Sequence, residues 1–108
     1  MRATTRLFQN ACRITLFTRE NCGLCTQARS VLSNVWDSRP FDFEEVDIIK
    51  DKTIPPWRDL YEFDVPVIHV SKATAPKEDP KSASKALKLM HRLKEVDVQA
   101  KMDAAEAA

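Results

Sequence analysis

The stretch Ile14-Thr15-Leu16-Phe17-Thr18-Arg19-Glu20-Asn21-Cys22-Gly23-Leu24-Cys25 decides how the chain is read. It passes from a β-branched and aromatic run through a polar turn to two cysteines three positions apart, where a helical pattern begins. In a reducing compartment that context reads as a thiol redox site. Residues three apart in a first helical turn lie on neighbouring parts of the helix surface, so their sulfurs can join as a disulfide or stand as two thiols. The unpaired N–H groups and the positive dipole end of the same turn favour the thiolate, which is the attacking species.

Working outward, residues 13–18 read as a central strand, because Ile14, Leu16 and Phe17 make it apolar on more than one face. From about Asn21, a natural N-cap, the period changes: Leu24, Ala28, Val31, Leu32 and Val35 recur at helical spacing to about Trp36. Residues 37–40 break the helix, and Phe41, Phe43, Val46 and Ile48 outline a second strand whose change of phase at Glu44-Glu45 predicts a bulge. The β-α-β order implies a right-handed crossover and parallel strands. Pro55-Pro56 opens a short helix carrying Trp57, Leu60 and Tyr61 and closed by Asp64. In Val65-Pro66-Val67-Ile68-His69-Val70 the proline stands at the first position of a strand, where a missing N–H is tolerated.

Residues 71–80 contain two prolines and four charges, so a fourth strand there would be short and exposed, and the pattern does not place it. From Lys81, the positions Ala83, Ala86, Leu87, Met90 and Leu93 return to the helical period, with Val98 extending it and the last residues expected to fray. The expected division is a leader over 1–12, one α/β domain over 13–100 and a frayed tail over 101–108. In the leader, Arg2, Arg6 and Arg13 fall on one side of a helix and Leu7, Phe8 and Ala11 largely on the other. That reads either as a short mitochondrial targeting segment or as a disordered lead-in, hence a cytoplasmic or mitochondrial location.

The 108 residues suffice for one core, and a net charge of +1 offers no field to gather nucleic acid or a membrane surface. No nucleic-acid or membrane partner is therefore expected, and the expected state is a monomer. Three cysteines are too few for a secreted disulfide framework, and nothing approaches the roughly 18 consecutive apolar residues of a membrane span.

Three readings compete for the cysteine pair. Structural zinc would need Cys12, His69 or His91 to converge on it, since a second C-x-x-C is missing. Two inert buried thiols are the plain structural alternative. Against the latter stands Gly23, the only glycine in the chain, whose missing side chain leaves the Cys22 sulfur open to a bulky disulfide. Pro66 is a candidate cis-proline whose bond would turn the Val65 backbone outward as a docking edge. Trp36 and Trp57 read as packing residues, His69 as a hydrogen-bonded residue at a sheet edge, His91 as an exposed helical one, and Cys12 as a free thiol.

Taken together, Thr15-Leu16-Phe17-Thr18, then Cys22-Gly23-Leu24-Cys25, then Val65-Pro66-Val67 resemble the thioredoxin superfamily, and most of all its small glutaredoxin-like proteins. The resemblance spans roughly residues 13–93. It implies an α/β thioredoxin fold, a four-stranded mixed sheet flanked by about three helices, with Cys22 as nucleophile, Cys25 as resolving thiol and Pro66 as the cis-proline facing them. Glutaredoxins usually carry Pro-Tyr between the cysteines, where this chain has Gly23-Leu24. Where they hold a lysine that meets a glutathione carboxylate, this chain has Arg19, able to grip it with two hydrogen bonds. The Gly-Gly step that opens their last helix is absent.

The resulting expectation is a thiol–disulfide oxidoreductase acting on protein disulfides or glutathione mixed disulfides. Cys22 and Cys25 are its catalytic residues, and Arg19, Val65 and Pro66 contact the substrate. No bound cofactor or metal is expected, and glutathione serves as an optional co-substrate. The alternatives are a metal or iron–sulfur module built on the same thiols, and a thioredoxin-like interaction domain with inert cysteines.

Overall fold

The computed structural model describes residues 10–108; the targeting reading of the leader lies outside the described residues apart from its last three positions. β1 (Cys12–Thr18) is buried along its whole length. It is followed by α1 (Gly23–Ser38), β2 (Asp42–Asp47), α2 (Trp57–Tyr61), β3 (Val67–Lys72), a 3-10 helix (Pro80–Lys85), β4 (Leu87–Met90) and α3 (Glu95–Ala107). The strands form one sheet in the order β2-β1-β3-β4, with β1 and β2 parallel and the other two pairings antiparallel.

The two faces of the sheet are covered differently. Ile14, Leu16, Ile68 and Val70 face α1 and α3, meeting Ala28, Leu32, Val35, Val98, Met102 and Ala105. Phe17 and Val67 face the other way, with Ile48, Trp57, Tyr61 and Ala83. The inward residues of α1, Cys25, Ala28, Leu32 and Val35, recur at intervals of three and four, so one stripe of the helix is buried and the remainder stays in water.

Several expectations are corrected. Pairing between β1 and β2 runs without interruption from Arg13↔Asp42 to Thr18↔Asp47, so there is no bulge at Glu44-Glu45. The change of phase arises because Phe41 joins the core on one face of the sheet while Val46 and Ile48 join the core on the other. The fourth strand lies at Leu87–Met90, inside the run read as helical. Leu87 and Leu89 pack on the α1/α3 face and Met90 on the opposite one, a two-residue alternation too short to stand out from the sequence. His91 follows that strand in the left-handed region (φ 65) and is not helical.

The tail beyond residue 100 does not fray but completes α3, with Met102 1% exposed and Ala105 3% exposed. Arg39, at the end of α1, holds it from outside through Asp103 (2.8 Å) and Glu106 (2.7 Å). The domain also starts one residue early: Cys12 belongs to β1, buried, with its thiol directed at Met102 O (3.6 Å) and Glu106 Oε2 (3.4 Å). Trp57 is a core residue, whereas Trp36 is about half exposed and donates from Nε1 to Phe41 O (3.1 Å) at the helix end.

Candidate active site

The redox pair stands where β1 hands over to α1. Asn21 adopts the left-handed conformation (φ 56), one that asparagine tolerates better than most residues. It therefore sits one position outside the cap, and Cys22 takes the N-cap place expected of it. The Cys22 sulfur accepts the backbone N–H of Cys25 at 3.1 Å, and the first turn of α1 carries no acidic side chain to offset its positive end. Cys22 and Cys25 form a disulfide with their Cα atoms 5.2 Å apart. Cys25 is fully buried and Cys22 partly exposed. A Cβ added at Gly23 would meet nothing within 4 Å, so the approach on that side is open.

Pro66 enters β3 at the same end of the sheet. Antiparallel pairing of Phe17 with Val67 brings the residue before Val67 level with the end of β1, from which the cysteine turn departs. The Val65–Pro66 bond is cis, as expected, and so is Ile54–Pro55, which the sequence did not suggest. Pro66 is buried, and its carbonyl accepts the N–H of His91 at 2.7 Å. Val65 is partly exposed, and neither its N–H nor its C=O meets a hydrogen-bond partner among the described residues. Arg19 Nη1 donates to the carbonyl of Glu62 (3.2 Å), tying the cysteine turn to the loop that leads into Val65.

Across the α2 face of the sheet runs a polar chain that the sequence did not reveal, built on His69, which lies on the inner strand β3 and not at an edge. His69, 1% exposed, meets Tyr61 Oη through Nε2 (2.7 Å) and Glu78 Oε1 through Nδ1 (2.7 Å). An ionised carboxylate can only accept, so Nδ1–H donates to Glu78, and in the neutral ring Nε2 accepts from the tyrosine. Glu78 Oε2 is bound by Arg13 (2.7 Å), whose guanidinium also donates to Ala75 O (2.9 Å) and Pro76 O (2.8 Å). Burial works to raise the Glu78 carboxyl, but the hydrogen bonds from His69 and Arg13 outweigh it and hold the group below the ordinary carboxylate range. Burial, helped by the charges of Asp64 and Glu78, pushes the Tyr61 hydroxyl up to about 12. At the opposite end of β1, burial and the Glu106 carboxylate push the Cys12 thiol up to about 11.

On the β2 side, Thr18 donates to Glu45 Oε2 (3.1 Å), and Arg29, one turn beyond Cys25, grips the same carboxylate (2.6 Å). The helix carrying the cysteines is thereby fastened to the edge strand. The residues considered for a metal are not brought to the pair. Cys12 faces Met102 and Glu106, His69 is held by Tyr61 and Glu78, and His91 lies 3.8 Å from Asp64.

Residues 13–103 match the model of the glutaredoxin-like domain family. The chain belongs to that family. Among solved structures, this glutaredoxin-like chain is similar to target protein XcR50 from X. campestris at 27% identity, with 85% of this chain and 97% of that one covered and a TM-score of 0.58. It also resembles chloroplastic thioredoxin z (17% identity, 98% and 88% covered, TM-score 0.63). A third likeness is to thioredoxin-2 of the malaria parasite (16% identity, 88% and 84% covered, TM-score 0.61). The latter two likenesses are of fold. The expected α/β thioredoxin fold, with its mixed four-stranded sheet, is therefore the fold of this glutaredoxin-like domain, and a redox role of thioredoxin-like kind goes with its cysteine pair.

Proposed function

We propose that this glutaredoxin-like protein is a thiol–disulfide oxidoreductase in which Cys22 is the nucleophile and Cys25 the resolving thiol. The observation that carries the reading is the asymmetry of the pair. The partly exposed sulfur caps a helix that favours its thiolate, and the buried one stands a single turn behind. In the reduced protein the Cys22 thiolate attacks one sulfur of a partner disulfide. A Cys22–partner S–S bond forms as the partner's own S–S bond breaks, and the released thiolate takes a proton from solvent. Cys25 then loses its proton and attacks the Cys22 sulfur, closing the Cys22–Cys25 disulfide and releasing the second partner thiolate.

Two electrons pass to the partner, and a low-molecular-weight thiol of the glutathione class or a reductase dithiol returns them. The substrates on this reading are protein disulfides and glutathione mixed disulfides. Val65 would offer its free N–H and C=O to an extended substrate beside Pro66, and Arg19 would face the substrate's charged groups. Such chemistry suits a thiol-reducing compartment of the cytoplasm or mitochondrion.

The test is trapping. A Cys25→Ser variant cannot resolve the mixed disulfide, so incubation with cell extract should yield covalent adducts through Cys22 that a reducing agent releases. Recovery of the variant with no adduct of either protein or glutathione would sink the reading.

A further inference from the structure

Resting on the exchange reading above, we propose that Phe63 is a specificity-determining residue. It selects extended polypeptide disulfides with an apolar side chain beside the target cysteine over the disulfide of glutathione. Phe63 is 88% exposed, an unusual state for a phenylalanine, and Leu60 one turn earlier is 44% exposed. Leu60 looks outward because Trp57 and Tyr61 take the inward face of α2, and Phe63 stands in the turn just beyond that helix.

The ring is not carried on a loose arm. Glu62 N–H donates to Arg58 O (3.0 Å), Glu62 O accepts from Arg19, and Asp64 N–H donates to Tyr61 O (3.0 Å), so the residues on either side are fixed. A binding surface fixed before contact costs little further ordering. Phe63 stands two residues before Val65, the position with free backbone groups beside the exchange site. Two residues span at most roughly 7 Å, and the turn over residues 62–64 shortens that, so a substrate strand paired at Val65 carries a neighbouring side chain within reach of the Phe63 ring.

Glutathione lacks the complement. It is a short, doubly carboxylated molecule with no large apolar side chain to cover the ring. The cation adjoining the cysteine turn, Arg19, already gives one N–H to Glu62. A carboxylate would have to share that guanidinium, whereas an apolar residue gains by covering Phe63 and Leu60.

The experiment uses the full chain, reduced, in single-turnover oxidation followed by acid quench and mass spectrometry. The oxidants are oxidised glutathione and two symmetric peptide disulfides that differ only in Leu or Ser beside the cysteine. The Leu peptide should react roughly tenfold faster than the Ser peptide, the yield of covering one apolar side chain. Phe63→Ser should erase that preference while leaving the glutathione disulfide rate within about twofold, and Phe63→Leu should keep most of it. A Phe63→Ser variant that retains the preference, or that slows all three oxidants together, overturns the proposal, as does an active wild type that treats the two peptides alike. A wild type inert to all three oxidants instead overturns the exchange reading itself.

Discussion

Tyr61 and His69 hold each other across the face of the sheet, the phenolic oxygen 2.7 Å from Nε2 and both side chains buried. The remaining ring nitrogen is fixed by Glu78, and Glu78 by Arg13, so α2, β3, the loop over residues 73–79 and β1 are joined by one hydrogen-bonded chain. Each link satisfies a group that would otherwise be buried without a partner, which is why the chain should be visible in stability.

Glu78 should make the protein acid-sensitive. Its carboxyl titrates below the ordinary value of 4.5, so the stability it contributes is complete above that value and is lost as pH falls through the lower folded one. Glu78→Gln should remove that part of the acid dependence and cost about 3 kcal/mol near neutral pH by leaving Arg13 unpaired. Tyr61→Phe should cost about 1–3 kcal/mol with the acid slope retained. Urea unfolding as a function of pH measures all three, and a Glu78→Gln variant with an unchanged slope would remove Glu78 from the account.

The three thiols of the reduced protein should differ sharply. Cys22 should alkylate with a titration below about 8.5, the value of a free cysteine, because the helix terminus and the Cys25 N–H favour its thiolate. Cys12, raised to about 11 and 1% exposed, should resist until the protein unfolds. Because U deprotonates first, the contribution of Cys12 is whole below its ordinary value and is lost as pH rises towards 11. Mass spectrometry of iodoacetamide-treated protein across pH reads each site, and a Cys22 profile matching that of a model thiol would refute the activation.

Arg19 should act by position. Arg19→Ala frees the loop before Val65 and should slow exchange with a peptide disulfide roughly tenfold. The unfolding free energy in urea should stay within about 0.5 kcal/mol of wild type, since the side chain is only partly buried. Arg19→Lys keeps the charge but not the planar fork that reaches Glu62 O, and should recover only part of the rate. Equal rates in all three proteins would show that the bond to Glu62 has no part in exchange.

The C-terminal helix should be indispensable to the fold. Met102→Ala empties a fully enclosed site and should cost about 2–5 kcal/mol in urea unfolding, whereas Arg39→Ala removes partly exposed ion pairs and should cost under about 1 kcal/mol. A small loss for Met102→Ala would mean that α3 is dispensable.

The central strand, the cysteine helix and the entry of Pro66 were legible because each rests on local pattern: Ile14, Leu16 and Phe17 in a row, Ala28, Leu32 and Val35 at helical spacing, and a proline before a β-branched run. What escaped depends on partners distant in sequence. β4 is four residues long and alternates on two buried faces, so Leu87 and Met90 fit a helix equally well until the sheet assigns them sides. α3 has only three large apolar residues, Val96, Val98 and Met102, and only the core it meets reveals Met102 as buried. In the site, the paired role of Cys22 and Cys25 was readable, but not the bond from Arg19 to a backbone carbonyl, which carries no side-chain signature at Glu62. Arg13, the one charged residue of a wholly buried strand, was the available hint of the buried ion pair with Glu78.

The open space beside Gly23 has a consequence for evolution and engineering alike. No neighbouring atom forbids a side chain there, and its backbone is not in the left-handed region, so alanine would fit and should add about 0.4–1 kcal/mol by restricting the unfolded chain. The sequence leaves that gain unclaimed at the threshold of its disulfide, in the pattern of a trade of robustness for access. Residue 23 is therefore the natural dial for such a protein: a side chain there should make the domain sturdier than glycine does, and a larger one should make its sulfur harder to reach.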